Sequence, residues 1–347
     1  MKRIVIHHFD KNAHAMLRFG EDIEIIGVYD EREEYSFKDP GELIGFRKTT
    51  LKISNDFEQI IEGVDADMVV TCGEGLYFTK PKNVLDWTKN VIISLQRGLD
   101  VYSMSKIFYG NSTRFFKDVA RMYGAKFMEA SEPEGYLKYM PFAEEAKEEG
   151  MEIPVVTFVG TSMNSGKITS LLTAKQLLDL KVGFVGTEPS SIFVGADEQV
   201  VPEVMPTMRG AQAVLGAVKK VEKEKKPDLI LVSSQTGLLA SVKDIKEARA
   251  GAIVAWQILL GSEPNRIVLC TKAKNVPELK RHISLLKMVT KAKIVSIVIN
   301  GKGISKAEKI RKLVKKTEEM TGIHTLDVFA TPERIPEFLE LLKGEHS

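Results

Sequence analysis

Gly160 and Gly166 bracket five residues, and Lys167 follows the second glycine directly. An apolar strand-like run, Val155-Val-Thr-Phe-Val159, leads into this turn, and Lys167 to Leu180 continues with the spacing of an amphipathic helix. Phosphate binding asks for this order. Glycines let main-chain N–H groups converge on oxygen atoms without a Cβ in the way. The free N–H groups of a helix start add donors and a favourable dipole, and a lysine adds a point charge. The expected cofactor-binding set is Gly160, Thr161, Ser162, Met163, Asn164, Ser165, Gly166, Lys167, Ile168 and Thr169, with Lys167 also assigned to catalysis. The common loop has four residues between its glycines and Ser or Thr after the lysine. Here there are five, and Ile168 stands where a Mg²⁺-directed hydroxyl would be, with Thr169 and Ser170 the nearest hydroxyls.

Ligands of parallel α/β sheets gather at the carboxyl ends of the strands, which singles out further residues. Thr187-Glu188 follows the strand Val182–Gly186, and Ser234-Gln235-Thr236 follows Asp228–Ser233. Glu188 and Gln235 are the candidate catalytic partners of Lys167. Glu188 or Asp197 offers a carboxylate to a metal ion through water, but a solvated loop carboxylate is the favoured reading of each. Ser233, Ser234 and the Gln235 amide can bond phosphate or a substrate carboxylate but do not replace a carboxylate as a Mg²⁺ ligand. No metal site is therefore assigned, and phosphoryl transfer, which leans on metal charge, is disfavoured. Arg209 reads as a carboxylate clamp or, more plainly, as a surface arginine.

In the N-terminal half, His7-His8-Phe9-Asp10 occupies the place of a glycine-rich dinucleotide turn, so nicotinamide binding is not expected, although Asp30 ends the second strand suggestively. Adjacent strand positions face opposite ways, so one of His7 and His8 is expected in the core and the other in solvent. The loops Cys72-Gly-Glu-Gly75 and Ser103-Met-Ser-Lys106 are turns or pocket walls. Cys72 and Cys270, 198 positions apart, read as buried free thiols.

These residues need an α/β frame. Short apolar runs alternate with helical stretches through both halves, the signature of βαβ units and a parallel sheet. The expected division is a Rossmann-like parallel-sheet domain over 1–135, a Glu-rich connector over 136–153 with at most one exposed helical turn, and a P-loop NTPase-like three-layer α/β/α domain over 154–347. The formal charge is +2, from 49 basic and 47 acidic residues, too balanced for a protein whose main partner is nucleic acid or an anionic membrane. The first ten residues carry charge and no run of 18 apolar residues occurs, so a soluble, cytoplasmic protein is expected. Thirty-six lysines against seven glutamines follow a thermophilic bias. Symmetric homo-oligomers are common for α/β chains of this size.

The loop resembles that of dethiobiotin synthetase, which also begins Gly-Thr and ends Gly-Lys. That resemblance implies an adenine-reading amide at Asn300, a residue otherwise read as a turn former before Gly301. Over nearly the whole chain the sequence resembles the DgcN-like family, through Gly160-Thr161, Gly166-Lys167-Ile-Thr169, Gly98-Leu-Asp100-Val with Ser103, Gln235-Thr-Gly237, Gly261-Ser-Glu-Pro-Asn-Arg-Ile-Val-Leu269 and Asn300. The resemblance implies a Rossmann-like domain joined to a P-loop domain and, for some members, N-acetylation of D-amino acids such as D-glutamate by acetyl-CoA. The chain departs from that pattern where Ser233 and Ser234 replace an acidic residue, near Pro206, and at Ser162. A divergent paralogue with altered chemistry is one implication. The expectation is thus a nucleotide- or CoA-binding enzyme, a transferase acting on a small carboxylated metabolite with ATP or acetyl-CoA. The alternatives are an ATP-dependent ligase and a non-catalytic nucleotide sensor.

Overall fold

The computed structural model describes residues 1–73, 80–104, 112–130, 132, 134–239 and 251–344. Glu74, Gly75, Ser105 and Lys106, four of the loop residues singled out above, lie outside the described residues. The chain divides into two compact units, Met1–Glu132 with Pro189–Gly195, and Pro133–Glu188 with Ala196–Ser347.

The N-terminal unit holds β1 (Lys2–His7), α1 (Lys11–Phe19), β2 (Ile23–Tyr29), α2 (Pro40–Leu43), β3 (Ile53–Ser54), α3 (Phe57–Gly63), β4 (Met68–Thr71), α4 (Pro81–Gln96), β5 (Asp100–Ser103), α5 (Ser112–Met122) and β6 (Phe127–Glu129). All pairings are parallel and the strand order is β3-β2-β1-β4-β5-β6. That is the order of a dinucleotide-binding Rossmann sheet. Alternate residues of the strands feed two cores. Val5, Val69, Val101 and Phe127 face α3, α4 and α5, while Ile4, Ile6, Val28 and Val70 face α1. Phe193, from the 189–195 segment, sits edge-on to Tyr102 at 4.9 Å and completes the second core.

The structure corrects the reading of the histidine pair. Both are buried, His7 at 1% and His8 at 8% exposure. His8 leaves the strand with φ 75°, a left-handed turn that breaks the alternation. Its Nδ1 lies 3.1 Å from Glu31 Oε2. His7 packs between Tyr29 and Phe57, and burial drives its pKa down to about 3. The unfolded state, titrating near 6.5, therefore binds more protons than the native state between pH 6.5 and 3. Stability is lost as pH falls through that window. His7 alone is expected to lower the unfolding free energy of this unit by about 2 kcal/mol between pH 7 and pH 5. Urea titrations at the two pH values should show this difference, and His7→Gln should remove it.

The C-terminal unit holds α6 (Met140–Glu149), β7 (Val155–Gly160), α7 (Lys167–Leu177), β8 (Val182–Gly186), β9 (Glu198–Gln199), α8 (Thr207–Lys225), β10 (Leu229–Ser233), α9 (Ala252–Gly261), β11 (Arg266–Lys272), α10 (Leu279–Val289), β12 (Lys293–Asn300), α11 (Ala307–Thr321), β13 (Thr325–Leu326) and α12 (Ile335–Lys343). Its parallel sheet runs β13-β12-β11-β7-β10-β8-β9. Every residue of β7 is buried, as expected for a strand covered on both faces. On one face of the sheet Ile267, Leu269 and Ile297 pack with α9, α10 and α11, and Val155, Val185, Ile230 and Val232 pack with α8 and α9. On the other face Phe158 meets Phe338 of α12 and Cys270 meets Ser170 of α7. The result is three layers, α/β/α.

The stretch read as a connector is a ten-residue helix, α6, packed on α8. Its inward residues are Ala143 and Ala146 with buried Tyr139 just before it. Small inward residues among many glutamates leave almost no apolar period to read. The turn before α6 packs against Gly216 of α8, whose missing Cβ would lie 2.9 Å from the Tyr139 carbonyl carbon. Among the described residues no helix is long and apolar enough to cross a membrane.

Candidate phosphate-binding site

β7 is flanked by β10 and β11. The turn after it is consequently walled by the loops that leave those strands. Gly160 ends β7, and a Cβ there would lie 2.5 Å from Ser165 Oγ and 3.0 Å from Lys167 Nζ. Only glycine lets the turn fold back over its own strand. Thr161 donates its N–H to the Cys270 carbonyl at 2.9 Å, and its hydroxyl meets that of Thr271 at 3.0 Å. Asn164 and Gly166 take left-handed φ values of 54° and 95°. Gly166 is the N-cap of α7 and offers no side chain to its N–H groups, which leaves them for an anion. Ile168 and Thr169 are half-buried in the first helical turn. The Ser170 hydroxyl bonds back to the Gly166 carbonyl at 2.9 Å.

Lys167 is buried, at 8% exposure, not a solvent-facing lysine. Its Nζ donates to the Thr236 carbonyl at 2.8 Å and the Ser162 carbonyl at 3.2 Å. Its ammonium is thereby held over the mouth of the turn. Ser165 is fully buried, and its Oγ has no hydrogen-bond partner.

The loop after β10 closes one side. Leu238 donates its N–H to the Gly160 carbonyl at 3.0 Å. Thr236 adopts φ 47°. Gly237 has no room for a Cβ, which would lie 2.7 Å from the Thr161 carbonyl oxygen and 2.9 Å from Ser162 Cα. Gln235, 4% exposed, points away from the turn and donates Nε2 to the Thr187 carbonyl, tying the end of β8 to this loop. Glu188 follows Thr187, half-buried, one strand further out. Asp197 is engaged elsewhere, accepting the Phe184 N–H at 2.9 Å and pairing with Lys225 at 3.1 Å. Arg209 is exposed and bonds Gln212.

On the other side, Asn300 Nδ2 donates to the Asn164 carbonyl at 3.0 Å, and its Oδ1 accepts the Lys302 N–H at 2.9 Å. Asn300 is thus at the site, as a brace for the turn. Asn275, which sequence reasoning did not single out, donates Nδ2 to Ser162 Oγ at 3.2 Å. Thr271 was missed as well. The rule that loops after neighbouring strands meet would have found both, but it needs the strand order.

The loops that touch the turn carry Lys274, Lys302 and Lys306. Lys272 pairs in register with Asn300 at the end of β11. Lysines so placed favour negative charge nearby. Both thiols are buried, and burial raises the pKa of Cys270 to about 11 and that of Cys72 well above its ordinary value. Neither is expected to react with a disulfide reagent at pH 8 without denaturant, a one-cuvette measurement.

The N-terminal unit presents a different edge. Asp10 caps α1, accepting the N–H groups of Asn12 and Ala13. Asp30, fully buried, accepts from Phe9 N, Arg32 N and the Arg32 guanidinium. The helix start and the carboxylate that a dinucleotide would use are both occupied by the chain itself.

Residues 143–335, more than half of the chain, match the family model described as domain of unknown function (DUF1611_C), P-loop domain. The chain belongs to this family. The C-terminal unit is accordingly a P-loop domain. No curated protein matches the chain. Among solved structures it is similar to an amine dehydrogenase from Mycobacterium smegmatis, at 16% identity and TM-score 0.34, over 50% of this chain and 52% of that one. It is also similar to a probable dehydrogenase from Thermotoga maritima, at 14% identity and TM-score 0.31, over 50% and 49%. Chloroplast FtsY from Physcomitrella patens matches at 14% and 0.33, over 76% and 82%. The chain spans about half the length of the dehydrogenases. Likeness at this level says nothing of chemistry.

Proposed function

We propose that the C-terminal unit binds the diphosphate of a nucleotide-type ligand, CoA or ATP, at Gly160–Thr169, and that the protein is a transferase acting on a small carboxylated metabolite. The observation that supports the reading best is the combination of an uncapped helix start, buried Lys167 and the lysines Lys274, Lys302 and Lys306 in the loops beside the turn. Main-chain N–H groups and Lys167 would hold phosphate oxygens, and Ser165 Oγ would gain the partner it lacks. Where phosphoryl transfer depends on Mg²⁺ held by carboxylates, acyl transfer needs only that the thioester be placed beside an amine. The amine attacks the thioester carbonyl, and the thiol leaves with the proton that the amine gives up. The resemblance to N-acetyltransferases of D-amino acids accords with this reading. Glu188, at the end of β8, is a carboxylate that could serve as a base or as a metal partner. It keeps an ATP-dependent ligase as the second reading.

Thermal melts of the full chain with CoA, acetyl-CoA, ATP and GTP, each with Mg²⁺ and with EDTA, test the proposal. At ~100 times Kd a ligand stabilises by about 2.7 kcal/mol, or roughly 5–10 °C for a unit of this size. A shift with CoA species that EDTA leaves unchanged is the expected result. A Mg²⁺-dependent shift confined to ATP would favour the ligase, and no shift with any ligand would remove the proposal.

A further inference from the structure

One pairing row at the carboxyl edge of the N-terminal sheet runs Tyr29–His7–Thr71–Ser103–Glu129 across β2, β1, β4, β5 and β6. In-register neighbours in a parallel sheet share a face, here the face whose preceding alternate residues are Val5, Val69, Val101 and Phe127. The layer beneath α4 thus turns from apolar to polar in one step. It remains buried, with Tyr29 at 6%, His7 at 1%, and Thr71 and Ser103 at 0% exposure. The row crosses the junction of β1 and β4, where the strand order reverses and ligands of open α/β sheets bind.

Two of its atoms have no hydrogen-bond partner, His7 Nδ1 and Thr71 Oγ1. Asn90 Nδ2 lies 3.0 Å from His7 Nε2. With the amide in that orientation Nε2 accepts, and the imidazole proton sits on Nδ1. Buried polar side chains nearly always have partners. Two orphans on adjacent strands, at the same level and at the switch point, are a matched donor pair.

We propose that this edge is a second binding site, for a small uncharged molecule whose carbonyl or hydroxyl oxygen accepts from His7 Nδ1–H and the Thr71 hydroxyl. The uncharged class follows from the surroundings. Burial keeps His7 neutral down to about pH 3, so it brings no compensating cation. Asn90 and Thr113, which bond His7 and Glu129, are uncharged as well. Glu31 and Asp86 bear on Tyr29 with negative charge, and burial raises the Glu129 carboxyl. Asp30, Glu31 and Asp86 outnumber His8 and Lys117 among the charged groups that bear on Tyr29, His7 and Glu129, so an anion buried here would be repelled.

Full-length protein carrying ¹⁵N-labelled histidine, titrated with acetamide and separately with acetate, provides the test, with His7→Gln assigning the resonance. Acetamide is expected to move the His7 Nδ1–H signal saturably, and acetate at the same concentration to leave it in place. Thr71→Val should abolish the acetamide response without lowering the melting temperature, because an unpartnered buried hydroxyl exchanged for an isosteric methyl loses no bond. Absence of a His7 shift with acetamide would overturn the site, and an equal shift with acetate would overturn the uncharged class. A fall of several degrees for Thr71→Val would mean that ordered water already satisfies the hydroxyl and that the row is structural.

Discussion

Lys167→Ala is expected to weaken binding of the phosphate-bearing ligand by about 100-fold or more, close to 2.7 kcal/mol. A charge-assisted bond to phosphate accounts for most of that figure, since such bonds contribute about 1.5–3 kcal/mol. The ammonium donates to the main-chain carbonyls of Ser162 and Thr236. Ligand binding is expected to draw Nζ off the Thr236 carbonyl toward phosphate, and the loop after β10 would register the change. The unliganded melting temperature is expected to move by only a few degrees, because the two carbonyls at the mouth of the turn can turn to water. Calorimetric titration with CoA and ATP, alongside melts of both proteins without ligand, separates lost binding from lost folding. A variant that bound as tightly as the parent would remove Lys167 from the site.

Gly237→Ala carries the second large effect. The added Cβ would meet main-chain atoms, the Thr161 carbonyl oxygen at 2.7 Å and Ser162 Cα at 2.9 Å, and neither can swing aside as a side-chain tip would. The loop after β10 and the phosphate turn must separate. The expected cost is about 1–3 kcal/mol of stability, together with at least a ~10-fold loss of ligand affinity from the displaced Thr161–Ser162 amides. Gly63→Ala is the matched control. Its Cβ would meet nothing within 4 Å, and alanine is favoured over glycine in a helix. Differential scanning of the three proteins decides the matter, and equal melting temperatures would mean that the turn has slack the packing does not show.

The division of this molecule into legible and illegible parts has physical causes. β7, β10, β11 and β12 are continuous apolar runs because both faces are covered, and such runs stand out in any sequence. Gly160, Gly166 and Lys167 stood out because a turn between a buried strand and a helix start constrains residue type directly. The helix α6 was not, since it buries alanines behind glutamates. The helix α9, apolar on every side, carries no amphipathic period. The two-residue strands β3 and β9 are too short for any alternation to show. His8 escaped because one left-handed residue cancels a strand's alternation. Asn275 and Thr271 escaped for a different reason. Each is an ordinary residue until β11 is placed beside β7, and that adjacency is a property of the fold.

The most direct measurement is a crystal of the full chain soaked with CoA in EDTA. Phosphate oxygens are expected within hydrogen-bond distance of the main-chain N–H groups of the 160–167 turn, with Lys167 Nζ on the phosphate and no longer on the Thr236 carbonyl. A ligand found elsewhere with the turn empty and Lys167 still on its two carbonyls, or no ligand at saturating concentration of CoA and of ATP with Mg²⁺, would contradict the account.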